Sequence, residues 1–287
     1  MPIRPGTEGI NLLEQTWRPE MATAATEEMV IANDFDDGND GVEKIANTLN
    51  IRKIAAIVAQ TLGATATGQT LTYSTNTETV VTVTPTFAYD GVEIPEHLIT
   101  KLIATPQLRK AYRTQMAAGL ATKIDSDAGV LAASISGVRG SSGENLSKGL
   151  MLDALTLLAT ASKNKWRRGK SRTPAFFVFH PSQIKYVLDI PEITAAQIRG
   201  DSQNPNVAGF VWDAWGLELD ESGNVYQASG VTHNFLHIKE SHVLAYNQKP
   251  GFLEPQPFEL TVRFIARTEY GVGEVWDEYG VDVQTAA

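Results

Sequence analysis

Residues 61–90 form a segment that cannot stabilise itself, and this constrains the fold more than any other feature. The segment is rich in Thr, Gly and Val, and Glu78 and Asp90 are its only charged residues. Residues 77–87 predict a β-strand, because β-branched side chains suit a pleated surface, and residues 71–74 are predicted as its partner. Two strands alone bury too little apolar surface to be stable in water. The predicted hairpin therefore needs another surface, and a neighbouring subunit is one candidate.

Residues 1–60 are predicted to form an N-terminal arm followed by a docking helix. Three of the first twenty residues are proline, and Trp17 is the only aromatic residue among them. Such a segment is a poor start for a compact core. A helix is predicted over about residues 42–60, just before the hairpin.

Residues 34–41 form an acidic, turn-rich run that is predicted to be a solvated turn. A calcium-binding loop is a poor match, because that motif requires oxygen ligands at set positions. With Gly41 as the turn glycine, Gly38 would stand at the third position and Asn47 where the bidentate glutamate belongs. The acidic side chains are therefore expected to face water.

Residues 105–134 predict the longest helix, of about 40 Å at the usual rise per residue. Thr105 can cap this helix, and Pro106 is tolerated in its first turn. A short helix is predicted just before the long one, over residues 95–103. In the long helix, apolar side chains recur at intervals of four and define the buried face: Leu108, Tyr112, Met116, Leu120 and Ile124.

Shorter elements are predicted for the second half of the chain. Glycines break the chain over residues 137–143, and a helix is predicted over residues 147–163. An aromatic strand at residues 175–179 leads into a short helix at residues 181–188. Further strands are predicted at four places: residues 217–219, 225–226, 234–238 and the partly alternating 258–270.

Composition excludes several functions. The chain has no cysteine, so disulfide links and thiolate catalysis are impossible. Its net charge of -9 argues against a general nucleic-acid binder, although an acidic wall can surround DNA without gripping it. No apolar run approaches the ~20 residues of a membrane span. Without a secretory signal at its N-terminus, the protein is expected to stay in a cytoplasm, away from membranes.

Six basic residues lie within ten positions around Trp166, and we call this segment the basic loop. Contact with DNA or with an acidic partner surface is one interpretation. A solvated loop between a helix and a strand is the other, and it is favoured because one basic loop in an acidic protein is common. The six residues are Lys163, Lys165, Arg167, Arg168, Lys170 and Arg172.

No group of residues predicts an active site, a cofactor or a metal centre. The Gly-Lys-Ser at residues 169–171 ends like a phosphate-binding loop, but Asn164 stands where the motif begins with glycine. His233 and His237 are four residues apart, without the acidic residue of a metalloprotease pattern. Asp125 and Asp127 are two apart on a predicted helix, where their side chains diverge, so they cannot act as a paired acid and base.

The predicted elements follow one another in a definite order: arm, helix, Thr-rich hairpin, short helix, long helix, small α/β region and β-rich C-terminus. This order resembles the Hong Kong 97-type fold of tailed-phage major capsid proteins, which is an α+β fold. The likeness covers nearly the whole chain, and the order carries more weight than any single motif. The segments that carry it are residues 92–98, 120–125, 176–183, 237–245, 258–267 and 281–283.

The resemblance implies four parts. Residues 1–60 would be the N-terminal arm and docking helix, and residues 61–92 the extended loop, a β-hairpin. Residues 93–145 and 239–287 would form the peripheral domain with its spine helix. Residues 146–238 would form the axial domain.

The resemblance also implies a function. Such a chain self-assembles as pentamers and hexamers into the icosahedral head shell that encloses the double-stranded DNA of a tailed phage. An encapsulin-like nanocompartment shell is one alternative, and a hydrolase or transferase with a site near His233, His237 and the basic loop is another. We expect no enzymatic activity. Contacts between subunits are expected at Trp17, Leu71, Tyr73, Val81, Val83 and Phe87.

Partners besides the chain itself are expected from the same resemblance: a separate scaffolding protein, a portal and a decoration protein. Some relatives cross-link their subunits through a lysine in the extended loop. Residues 61–92 contain no lysine, so no such isopeptide bond is expected. Because few residues precede the hairpin, any scaffolding segment is expected to be a separate protein or to have been removed.

Overall fold

The computed structural model describes residues 23–25, 28–38, 43–45, 48–54, 78–95, 97–98, 105–162, 166, 173–194, 213–253, 256–258 and 261–287. Its α-helices are α1 (Pro106–Val130), α2 (Lys148–Ala161), α3 (Ile184–Leu188) and α4 (Pro191–Thr194). Its strands are β1 (Asp36–Asp37), β2 (Glu43–Ile45), β3 (Thr48–Ile54), β4 (Glu78–Val83), β5 (Thr86–Pro95), β6 (Val138–Gly140), β7 (Ala175–Phe179), β8 (Asp213–Ala214), β9 (Leu217–Glu221), β10 (Gln227–Ala228), β11 (Val231–Ile238), β12 (His242–Phe252), β13 (Gln256–Phe258), β14 (Thr261–Glu274) and β15 (Gly280–Ala286).

The long helix α1, which we call the spine helix, packs on a five-stranded sheet. The centre of this sheet is β14, which pairs antiparallel with β12 on one side and with β5 on the other. Residues of β14 are alternately buried, because successive side chains of a strand point to opposite faces. The predicted alternation is confirmed, and so is the four-residue repeat from Met116 onwards, whereas Leu108 at its start is 39% exposed. The two patterns meet in one core: Phe264, Ala266, Tyr270, Met116, Leu120 and Ile124.

A second sheet contains seven strands and is centred on β11. This strand pairs antiparallel with β15 on one side and with β7 on the other. Every residue of β7 is buried, and Phe177 and Phe179 pack with Leu155 and Leu158 of α2. Helix α2 begins where Ser147 Oγ accepts the N–H of Leu150. The predicted aromatic strand and the helix before it are confirmed.

A third sheet of three strands follows the order β2-β3-β4. The helix predicted over residues 42–60 is wrong in the described part of that range, which contains β2 and β3. Strand β3 pairs along its whole length with β4, and this long-range pairing outweighs any local preference for helix. The partner predicted for β4, residues 71–74, lies outside the described residues. We call β3, β4 and the chain between them the β3–β4 hairpin.

The last strand, β15, corrects the predicted grouping of residues 239–287. The predicted division places these residues with the spine helix in one domain, but β15 lies in the seven-stranded sheet. Its buried residues Val281 and Val283 pack with α2 and β7, so the chain returns to the sheet of residues 146–238. Strand β6, from the predicted 93–145 part, also joins this sheet by pairing with β15.

Smaller differences concern element boundaries. The strand predicted at residues 225–226 begins at Gln227 instead. The short helix predicted at residues 181–188 is present as one 3-10 turn, Pro181–Gln183, followed by α3. Of the helix predicted at residues 95–103, only His97 and Leu98 are described as helical.

Candidate assembly interface

The β3–β4 hairpin is joined to the subunit by a small apolar core of its own. Val83, at the end of β4, is 4% exposed and packs with Val243 and Ala245 of β12. Ile51 and Val81 are partly buried against the same core. The subunit contact predicted at Val83 is therefore wrong, because its side chain is buried within its own subunit.

Three large apolar side chains on β4 and β5 are exposed. Val80 is 56% exposed, Phe87 53% and Tyr89 73%, and the rings of Phe87 and Tyr89 lie 6.5 Å apart. Ala88, between them in sequence, is buried on the opposite face of β5, as strand alternation requires. An apolar patch of this kind often marks an interaction site. Phe87 is available for the predicted contact, which stays a prediction, and sequence reasoning missed Val80 and Tyr89.

A groove of about 280 Å³ runs beside Tyr89 on the outer face of β5 and β14. Ile265 stands opposite Gly91 in the paired strands, and the missing side chain of the glycine deepens the groove. At one end, Arg263 Nε donates a hydrogen bond to Glu93. The groove therefore combines an apolar floor with a charged rim.

The N-terminal segment around residues 28–37 docks on the spine helix through one buried carboxylate. Asp125 is fully buried and accepts the backbone N–H of Val30 at 2.8 Å and of Ala32 at 2.9 Å. Asn224 Nδ2 approaches the same carboxylate at 3.4 Å. Sequence reasoning missed this role, because nothing in the local pattern shows which segment covers a polar helix position.

The predicted solvated turn at residues 34–41 is only partly confirmed. Asp36 and Asp37 are exposed, but Asp34 is 9% exposed and Phe35 3%. The Phe35 ring lies between the two sheets, 5.9 Å from Phe235 and stacked on His242 at 5.1 Å. The large buried area of this ring explains why its acidic neighbour Asp34 is carried into the interior.

Burial raises the pKa of both buried carboxyl groups in this region, Asp34 and Asp125. Burial raises the pKa of Asp34 to about 8, and the carboxylates of Asp220 and Glu218 add to the rise. Within the described residues, Asp34 Oδ2 is buried without a hydrogen-bond partner, which suits a protonated group. Burial also raises the pKa of Asp125, but the two N–H donors act against that rise.

The histidines of β11 and β12 are interior residues. His237 and His242 are fully buried, and burial lowers the pKa of His237 to about 4 and that of His242 well below its ordinary value. His233 lies 2.9 Å from the Asp282 carboxylate. Among the described residues, no group of three or more His, Asp or Glu side chains could hold a metal ion.

Asp125 and Asp127 diverge on the spine helix, as predicted. Asp127 accepts hydrogen bonds from Lys123 at 2.6 Å and from the buried Tyr270 hydroxyl at 2.5 Å, while Asp125 faces the N-terminal segment. Each carboxylate therefore has a structural partner of its own.

Several predicted site residues lie outside the described residues. They are Trp17, Leu71, Tyr73, the Gly-Lys-Ser at 169–171 and all six charged residues of the basic loop. Trp166, within that loop, is described and is 2% exposed in the core of the seven-stranded sheet. Its ring is therefore not part of an open basic surface.

Among the helices that the structure describes, none combines the length and the apolar character that crossing a membrane requires.

Solved structures resemble the chain over most of its length. A chain of Mycobacterium phage Che8 has a TM-score of 0.65 at 17% identity and covers 89% of this chain and 90% of its own. A chain from the capsid of Ralstonia phage GP4 gives 0.65 at 11% identity, with 88% and 87% covered. A virus-like particle from Pyrococcus furiosus gives 0.57 at 11% identity, with 94% and 98% covered. No protein-family model and no curated protein matches the sequence.

These similarities confirm the predicted fold class. The chain has the α+β Hong Kong 97-type fold of phage capsid subunits. Because the sequence identities are 17% and below, the likeness is one of fold.

Proposed function

We propose that this chain is the major capsid protein of a tailed bacteriophage, a shell subunit without enzymatic activity. The observation that carries the proposal is the likeness to a phage capsid chain over 88% of this chain and 87% of the other. A fold match of that extent relates the whole subunit to a shell protein and not merely one motif.

The proposed mechanism is association through overlapping segments. The β3–β4 hairpin extends over the next subunit, and the N-terminal arm, with Trp17 as an anchor, reaches another neighbour. The exposed side chains of Phe87 and Tyr89 lie at the start of β5, next to the hairpin, and support contact at this place. Many moderate contacts add through multivalency, so a shell can be stable although each contact is weak.

The finer parts of the proposal are the assembly and its contents. The subunits form pentamers and hexamers around double-stranded DNA, with a scaffolding protein, a portal and a decoration protein as partners. The net charge of -9 supports a shell that encloses DNA without binding its phosphate groups tightly. Without a lysine in residues 61–92, the shell is held by non-covalent contacts.

A nanocompartment that encloses protein is the second candidate. It is favoured by the likeness to the Pyrococcus furiosus virus-like particle, which covers 94% of this chain and 98% of the other. The two candidates share the shell and differ in its contents.

The test is electron microscopy of the purified full-length chain, alone and with its native neighbours. We expect closed particles of uniform size, and DNA inside particles from infected cells. Packaged protein in place of DNA would favour the nanocompartment. A chain that stays monomeric at all concentrations would contradict both.

A second test replaces residues 58–74 with a short Gly-Ser linker, which retains β3 and β4. We expect a subunit with unchanged thermal unfolding that no longer forms particles. Normal particles from this variant would contradict the overlapping-hairpin mechanism.

A further inference from the structure

We propose that a two-point contact at the base of the β3–β4 hairpin, which we call the hairpin clamp, sets the direction in which the hairpin leaves the subunit. One point is Val83 on Gly273, and the other is Lys53 on the ring of Trp276. The inference rests on the proposed function, because it names the residues that aim the hairpin at a neighbouring subunit.

The first point is a close approach of a side chain to backbone. A Cβ built on Gly273, near the end of β14, would lie 2.5 Å from Val83 Cγ2. Only glycine lets Val83 come this close. Since Val83 is buried with Val243 and Ala245, it cannot move aside without leaving its own core.

The second point is a cation over an aromatic ring. Lys53 Nζ lies 3.9 Å from the centroid of the Trp276 ring, within the range of a cation–π interaction. Trp276 is itself held, because its ring stacks on Tyr279 at 5.4 Å with an interplanar angle of 21°. The ring also packs against the core of the seven-stranded sheet. Lys53 therefore binds to a fixed partner.

The two points connect the hairpin to both large sheets. Gly273 belongs to β14 in the five-stranded sheet, whereas Trp276 packs on the seven-stranded sheet. A hairpin held at one point could pivot about it in any direction, but a second point, together with the short chain that joins β4 to β5, restricts this motion. The direction in which the hairpin leaves the subunit therefore depends on how the five-stranded and seven-stranded sheets are placed relative to each other.

The first test is a double-mutant cycle between Gly273 and Val83. Gly273→Ala should open the base of the hairpin, because the added methyl group overpacks the contact with Val83. The opening equilibrium should rise at least about fivefold, and hydrogen exchange in β3 and β4 should become faster by the same factor. Adding Val83→Ala to Gly273→Ala should restore part of the loss, because the shorter side chain makes room. The readout is hydrogen exchange of β3 and β4 in the full-length unassembled chain. Gly251→Ala is the control, since its Cβ would have Lys249 O at 3.7 Å as its nearest neighbour.

The second test compares two neighbouring residues of β3. Lys53→Met removes the charge and keeps most of the side-chain volume, and it should speed exchange in β3 and β4 by about two- to fivefold. Arg52→Met removes a charge from the outward face, where the Arg52 side chain is 57% exposed and lies 3.8 Å from Glu78. The control should change exchange less than Lys53→Met does.

Particle morphology separates failure of the clamp from failure of the proposed function. If the wild-type chain forms particles, Gly273→Ala and Lys53→Met should give irregular or incomplete ones at unchanged global stability, and Gly251→Ala normal ones. If the wild-type chain forms no particles, the proposed function is wrong, but hydrogen exchange in the unassembled chain still tests the clamp. Two results would overturn the clamp. One is a wild-type rate of hydrogen exchange in both Gly273→Ala and Lys53→Met. The other is faster exchange in Gly273→Ala that adding Val83→Ala does not reduce.

Discussion

The carboxylate of Asp125 on the spine helix accepts the backbone N–H of Ala32 at 2.9 Å, across 93 positions of the chain. A second N–H, from Val30, reaches the same carboxylate at 2.8 Å. These bonds attach the N-terminal segment to the subunit core.

Asp125→Asn should therefore weaken the subunit. The amide retains one acceptor oxygen but presents an NH₂ group to a backbone N–H, and a lost bond to a charged acceptor costs about 1.5–3 kcal/mol. Urea unfolding at neutral pH measures the loss. Asp153→Asn, at an exposed position of α2, is the control and should stay within about 0.5 kcal/mol of the wild type. Equal stability of the two variants would contradict the docking role.

The stability of the subunit should fall as the pH rises from about 4 to 8 because of Asp34. Its pKa is raised from 3.8 to about 8 by burial, so its contribution is fully present below pH 3.8 and is lost as the pH rises through 8. A group of this kind changes the free energy of unfolding by up to about 1.4 kcal/mol per pH unit. Asp34→Asn should flatten this slope between pH 5 and 8 in urea unfolding. Asp36→Asn, on an exposed neighbour, should follow the wild-type profile, and an unaltered slope in Asp34→Asn would show the prediction to be wrong.

On the acid side the fully buried His237 has the opposite effect. Its pKa is lowered from 6.5 to about 4 by burial, so its contribution is present above pH 6.5 and is lost as the pH falls through 4. The full change corresponds to about 3 kcal/mol. His237→Phe, which keeps an aromatic ring beside Phe235 and Phe35, should reduce the loss between pH 6.5 and 4. His97→Gln is the control at an exposed position, and the same acid sensitivity in both variants would count against His237.

The exposed rings of Phe87 and Tyr89 should matter for assembly and not for folding. The double variant Phe87→Ser with Tyr89→Ser should change the free energy of unfolding by less than about 0.5 kcal/mol per site, as is usual for surface substitutions. The yield of particles, counted by electron microscopy, should fall strongly. Leu188→Ser, at a residue of α3 that is 36% exposed, is the matched control. Normal particle yield from the double variant would remove these rings from the interface.

Much of the fold followed from local patterns. The four-residue repeat of the spine helix, the alternation of β14 and the aromatic run of β7 were all predicted, because side-chain spacing along a helix or strand is a local property. The order of these elements also indicated the Hong Kong 97-type fold. Of the predicted contact residues, sequence reasoning placed Phe87 on an exposed face but put Val83 at an interface, because one face of a strand looks much like the other when both carry β-branched residues.

The sequence by itself determined which segments are helical or extended where their periodicity is long, and that the chain has no cysteine chemistry. Only the tertiary structure decided that residues 48–54 are a strand, since β3 depends on its pairing with β4. It also decided that β15 lies in the seven-stranded sheet and that Asp34 and Asp125 are buried. These outcomes depend on contacts between residues far apart in the chain, and burial by a distant segment leaves no mark on the local pattern.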